Sequence, residues 1–197
     1  LTVLRAAEAE VRVEAPGAIR RVLFPRFAAE AFPGVGPLRA LHLLTLSAGA
    51  TLPARRLANL SVLRLCWMPG EDAGWLLRQD CGAGAELPAW TAPAAVEGVE
   101  LWVQTRRSNG LVRRHEAAGQ PLRTVLAEPG DPGWDAEVRV DGRGNAGRGV
   151  NPLWWQLLWG SVAIDGQTLG AGDGCHPLAS GLPPMPATAA ILCIDGG

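Results

Sequence analysis

The sequence predicts an all-β chain, and three observations carry that prediction. Apolar residues recur mostly with period two, as in Val11-Arg12-Val13-Glu14 and Val99-Glu100-Leu101-Trp102-Val103-Gln104. Gly, Pro, Asn or Asp stands in nearly every gap between apolar runs. No long segment sustains helical spacing. Short runs of alternating hydrophobicity separated by turn residues are the pattern of a β-sandwich or barrel.

In chain order, the candidate strands after Val11–Glu14 are Leu41–Leu46, Leu60–Trp67, Val99–Gln104, Leu122–Ala127, Ala136–Asp141, Trp154–Trp159, Ser161–Asp165 and Ala190–Asp195. Ala48-Gly49, Met68-Pro69-Gly70 and Asp165-Gly166 supply turns, the last suited to a tight hairpin. Two segments compete for helix. Ala73–Cys81 is long enough for two turns, and Arg20–Phe32 is interrupted by Pro25 and ends before Pro33.

Composition excludes several functions. The 197 residues carry 18 basic and 19 acidic side chains, and every basic one is arginine. A net charge of −1 argues against a general nucleic-acid coat or a polybasic membrane binder. An apolar fraction of 48% is too high for a disordered chain, and no apolar run approaches a membrane span. Charged residues are scattered through Leu1–Glu14, where a secretory leader would need an apolar run. The expectation is a soluble, cytoplasmic protein. Without CxxC spacing, the four cysteines read as free thiols: Cys66 and Cys193 as buried hydrophobes, Cys175 as a solvent-facing redox candidate.

Arginines are uneven along the chain. Arg106, Arg107, Arg113, Arg114 and Arg123 face only Glu116 in their stretch, with no interleaved aromatics, so an exposed connection fits better than a nucleic-acid footprint. The expected division is 1–105, an arginine-rich linker over 106–120, and 121–197. A faint echo of Leu63–Asp72 in Gln156–Gly160 plus Gly170–Asp173 agrees with two related halves. The glycine-rich Gly142–Gly149 lacks the lysine and following helix of a phosphate loop and reads as a flexible loop. Trp154, Trp155 and Trp159 read as core.

Two stretches resemble a known family. Gly34-Val35-Gly36-Pro37-Leu38-Arg39-Ala40-Leu41 with Ser47-Ala48-Gly49-Ala50 is similar to the GFGPLRVL…APGA segment of pirin-type bicupins. Gly160–Gly174 resembles the G-x-V-x-V-N-G-x-x-L-x-A-G-D-G segment of their C-terminal half. Glu100-Leu101-Trp102-Val103 and the opening Val3–Glu8 fit the same order. The resemblance implies two cupin (double-stranded β-helix) barrels in one chain, with Asp173 as a turn residue capping backbone N–H groups.

It also implies an iron-class metal in the N-terminal barrel, on three histidines and a glutamate. Here the chain departs from the pattern. The H-x-H-R-D segment falls on Arg55-Arg56-Leu57-Ala58-Asn59, and the H-x-E pair on Ala85-Glu86-Leu87. The only histidines are His42, His115 and His176, and none forms an H-x-H pair. Arginine stays protonated and cannot ligate a cation. The expectation is therefore no metal, no cofactor and no catalytic residue. The ligand-pocket candidates are Arg55, Arg56, Leu57, Glu86 and His42, where Arg55 or Arg56 pairs either with a carboxylate ligand or with a surface acid. The expected partners are a small anionic ligand or a protein, in a non-catalytic binding or regulatory role. The alternative is a quercetinase-like dioxygenase, or a metal-independent enzyme acting on a small molecule.

Overall fold

The computed structural model describes residues 2–24, 38–69, 74–104, 112–121, 126–127, 134–140, 152–176 and 189–196. Its strands are β1 (Thr2–Leu4), β2 (Glu10–Ala15), β3 (Ala18–Phe24), β4 (Leu38–Leu46), β5 (Thr51–Leu52), β6 (Arg55–Arg56), β7 (Leu60–Trp67), β8 (Gly74–Cys81), β9 (Glu86–Leu87) and β10 (Trp90–Thr91), followed by β11 (Val96–Gln104), β12 (Val112–Pro121), β13 (Leu126–Ala127), β14 (Trp134–Val140), β15 (Pro152–Trp159), β16 (Ser161–Ile164), β17 (Gln167–Gly170), β18 (Gly174–His176) and β19 (Ala190–Gly196). Among the described residues the only helical piece is a 3₁₀ turn at Ala6–Glu8. The helix considered for 73–81 is instead strand β8: a strand points Leu77 into an apolar cluster while its backbone pairs on both sides.

Two antiparallel sheets dominate. The larger has the order β12-β8-β7-β11-β4-β3-β2, and the smaller β1-β18-β15-β19-β14-β13. They share one apolar core. Leu41, Leu63, Leu65, Val99 and Leu101 from the larger sheet meet Trp154, Leu158, Leu192 and Ile194 from the smaller. Fully burying a side chain of this size contributes about 1.5–3 kcal/mol, so this layer is a main source of stability. Each sheet also packs its second face, under the short ribbons β5/β10 and β6/β9 on one side and β16/β17 on the other. The all-β expectation is met; no closed barrel forms among the described residues.

Three further expectations are corrected. Residues 112–121 of the supposed linker are strand β12, with Arg113 opposite Asp80 and Arg114 opposite Gln79. An edge strand needs partners on one side only and tolerates charge, so an arginine-rich segment can hold this place. Arg106 and Arg107 lie outside the described residues, as does Gly142–Gly149. The N-terminal strand β1 joins the smaller sheet, pairing Val3 with Cys175, so that sheet is not built from the later residues alone. Cys175 is itself 0% exposed, between β1 and β15. Burial pushes its thiol up to about 12, which removes the redox-sensitive thiolate considered for it. No helix among the described residues is long and apolar enough to cross a membrane.

Two local readings hold. Asp165 (φ 48°) and Gly166 (φ 76°) form the two-residue turn between β16 and β17, with Ile164 paired to Gln167. Both left-handed φ values match the hairpin turn whose twist suits flanking strands. Asp173 accepts from the backbone N–H of Ala6 (2.8 Å) and Gly170 (3.0 Å) and from Arg5 (2.9 Å). It is a corner residue that also ties the N-terminal segment to the smaller sheet.

Candidate ionic site on the larger sheet

Antiparallel pairing aligns a polar row across four strands. His42 on β4 stands opposite Glu100 on β11, Glu100 opposite Arg64 on β7, and Arg64 opposite Gln79 on β8. Directly opposed residues project from the same face, so the row is a consequence of register. That face is the one turned away from the shared core. Arg20, on β3, reaches the row from a neighbouring position opposite Leu44.

The contacts are dense. The Glu100 carboxylate accepts from Arg20 at 2.8 and 3.1 Å and from Arg64 at 3.2 and 3.3 Å. Arg64 also donates to Gln79 Oε1 at 2.9 Å. Arg20 donates to His42 Nδ1 at 2.6 Å and to Glu14 at 2.8 Å. Arg55 closes the chain through an ion pair with Glu14. Glu14 can turn inward because the register of β2 slips between Val13 and Ala15, and such a bulge re-aims a side chain.

Arg64, Gln79 and Glu100 are 0% exposed and Arg20 is 1% exposed. Burial alone would raise the Glu100 pKa, but the guanidinium groups of Arg64 and Arg20 outweigh it and hold the carboxyl down at about 2. For His42, burial and then the positive Arg20 act in the same direction, leaving it at about 4 and neutral. Since a guanidinium only donates, Nδ1 is the acceptor and the imidazole proton sits on Nε2. The Glu14 carboxyl is lowered: burial opposes ionisation, and Arg20 and Arg55 prevail.

The sequence-derived candidates separate. His42 lies in the row and Arg55 reaches it through Glu14. Leu57 is buried with Val62, Cys81 and Leu87 against Trp102. Arg56 and Glu86 stand opposite each other in the β6/β9 ribbon and are exposed, outside the buried row. Arg20, Arg64, Gln79 and Glu100 were not singled out from the sequence. One signal was available: a single charge in the middle of an apolar run, as in Leu63-Arg64-Leu65 and Val99-Glu100-Leu101. Such a strand is covered on both faces, so its charge must find a buried partner. Among the described residues, no group of three or more His, Cys, Asp or Glu side chains could hold a metal ion.

No family model and no curated protein matches the sequence. Solved structures do match its fold. YhhW from Escherichia coli aligns with TM-score 0.63 at 12% identity, over 98% of this chain and 96% of that one. The same bacterial pirin in complex with nickel(II) aligns at 0.62 and 12%, over 98% and 97%. GK1651 from Geobacillus kaustophilus aligns at 0.56 and 10%, over 99% and 94%. Identity this low carries the architecture and nothing finer: the chain has the cupin fold.

Proposed function

We propose that this chain is a pirin-like bicupin in which an ionic network takes the place of the N-terminal metal centre, and that it works as a non-catalytic binding or regulatory protein. The observation that carries the reading is the Glu100 carboxylate held between Arg20 and Arg64. A divalent ion needs about three His, Cys or carboxylate ligands with free lone pairs. Here Glu100 already accepts from two guanidinium groups and His42 Nδ1 from one of them. Two buried permanent cations beside that carboxylate would repel a third. The donor set does not fit the family's iron-class ion, so no oxygen chemistry is routed through one. Four buried free cysteines suit a reducing compartment and support a cytosolic location.

The experiment is metal analysis of protein purified without chelators, paired with a flavonol oxygenation assay. The expected result is a substoichiometric metal content and background turnover with added iron, nickel or manganese. One equivalent of co-purifying metal that His42→Ala or Glu86→Ala releases would overturn the reading and favour the dioxygenase alternative.

A further inference from the structure

The larger sheet ends in a strand whose outer edge is open. Among the described residues β2 pairs with β3 alone, which leaves the outward N–H and C=O groups of alternate β2 residues without a ladder partner. Val11 is 52% exposed and Val13 75%, and Val13 stands opposite Ile19, which is exposed as well. Alternation puts these three on one face of the edge and Glu10 and Arg12 on the other. Arg12 donates to the Glu10 carboxylate through Nε at 2.8 Å and Nη2 at 2.9 Å, so the two opposite charges are held side by side. Lys, Pro or charge of one sign commonly blocks an edge. Here Pro16 lies beyond the strand, and the outward charges are of both signs.

A second β2 strand laid antiparallel on this edge has few registers, because outward backbone groups must meet outward ones. Centred on Glu10 or Arg12, the pairing sets a charge opposite its own copy, and the Arg12 register also sets Glu10 opposite Glu14. Centred on Val13, it runs across the irregularity between Val13 and Ala15 and needs Glu14, which Arg20 and Arg55 already hold. Centred on Val11, it sets Val11 opposite Val11 and Glu10 opposite Arg12 on both sides of the axis, and it ends at Val13, before the irregularity. In that register every opposed pair is apolar or of opposite charge.

We propose that the β2 edge is a self-association surface and that its occupant is a second copy of this chain, joined antiparallel about Val11 into one continuous sheet. Charge complementarity selects the occupant: the same strand, reversed, returns Arg12 to Glu10 and Glu10 to Arg12 in a single register. Val11 and Val13 of both copies then form one apolar stripe on the other face, covering surface that each copy exposes alone. The two-fold pairing uses the same patch twice and closes at two copies. One short strand on each side is narrower than a standard interface, so the dimer is reversible.

The test is sedimentation velocity of the full chain from about 1 to about 300 μM, where a monomer–dimer equilibrium should appear. Val11→Glu sets two carboxylates opposite each other on the axis and should weaken the dimer about tenfold or more. Glu10→Arg and Arg12→Glu should each weaken it comparably when alone, because each makes the opposed side chains alike in sign. Mixed in equal amounts, these two variants should associate with each other within about threefold of the wild-type affinity, since every opposed pair is again of opposite sign. A role for Glu10 and Arg12 confined to their own strand cannot produce that crossed recovery. All three positions are exposed, so far-UV spectra and urea midpoints should stay at wild-type values. A monomer at every concentration would overturn the inference and leave the edge to a strand of another protein. A dimer that survives Val11→Glu unchanged, or two charge variants that remain monomeric when mixed, would overturn it equally.

Discussion

The two sheets share a core, yet the faces they turn away from it are made of opposite materials. On the larger sheet that face buries Arg20, Arg64, Gln79 and Glu100 between two apolar patches, with His42 half-buried beside them. On the smaller sheet the buried cluster on that face is apolar, with Trp155, Leu157, Val162, Ile164, Leu169, Cys175, Ile191 and Cys193, and register adds charged positions on β14, where Glu137 stands opposite Cys193 and Arg139 opposite Ile191. The centre of that face shows that a second layer of this fold can be filled by apolar packing. Ion pairs in the other half are therefore not a requirement of the architecture, since desolvating them offsets much of what their attraction contributes. The difference directs attention to the larger sheet as the place where polar chemistry is kept.

The sharpest way to break this contrast is to remove the central carboxylate. Glu100→Ala leaves Arg20 and Arg64 buried without their counter-charge and should cost about 3–5 kcal/mol in denaturant unfolding. Leu157→Ala in the apolar face should cost about 2–5 kcal/mol, from lost transfer energy and the cavity it leaves. The two faces should then part ways. Replacing Arg20, Glu100 and Arg64 together by Met, Leu and Met should restore most or all of the loss, because no charge is stranded. No comparable rescue exists for the leucine cavity short of refilling it. A Glu100→Ala cost under about 1 kcal/mol would mean that the network is solvated and the contrast false.

Acid should distinguish the faces next. His42 has a folded pKa of about 4 against an ordinary 6.5, so between these values the unfolded chain binds a proton that the folded chain refuses. Stability is fully present above pH 6.5 and falls as pH drops toward 4. Glu100, held at about 2 against an ordinary 4.5, extends the loss below pH 4.5. Urea midpoints between pH 8 and pH 3 should decline through this window, and His42→Gln should flatten the upper limb. On the smaller sheet, Asp173 adds a loss of the same sign. Burial works against its ionisation, but N–H donors from Gly170 and Ala6, with Arg5, lower its pKa.

How much of this was legible depends on how far apart the partners lie in sequence. The hairpin at Asp165-Gly166 and the corner at Asp173 are local, written in residues a few positions apart. The buried row is not. Arg20 and Glu100 are 80 residues apart and Arg64 and Glu100 are 36 apart, and only register brings them together. A period-two pattern also reads a charge such as Glu100 as solvent-facing, because it cannot see that a second layer covers that face. Cys175 was misjudged for a similar reason: the strand that buries it, Thr2–Leu4, comes from the other end of the chain. Arg55 is reached through the family resemblance and His42 as one of only three histidines in the chain, and each signal points to a position rather than to a partner.

The latch at Asp173 should have a smaller effect. Asp173→Ala strands the N–H groups of Ala6 and Gly170 and releases Arg5, at about 1–2 kcal/mol. Hydrogen exchange should report the loss first in β1 and β18, which pair as Val3 with Cys175. Equal acceleration in the larger sheet would show that the corner is not local to its own half.

The smallest expected effect isolates backbone from packing within the smaller sheet's own half. A Cβ on Gly166 would meet nothing within 4 Å, yet its φ of +76° is a region that side chains disfavour. Gly166→Ala should therefore cost about 1 kcal/mol from conformation alone. Gly174 is the complementary case. No left-handed φ constrains it, but a Cβ there would lie 2.5 Å from Gln156 Oε1 and 2.7 Å from the Trp154 ring. Gly174→Ala must displace a buried glutamine that donates to the Gly172 and Asp173 carbonyls, and overpacking of this kind costs about 1–3 kcal/mol. The ratio of the two costs, measured by urea unfolding at pH 7, tests whether the smaller sheet is limited by packing. If Gly166→Ala proved the costlier, the β16/β17 hairpin and not the close contact at β18 would be the sensitive element of that sheet.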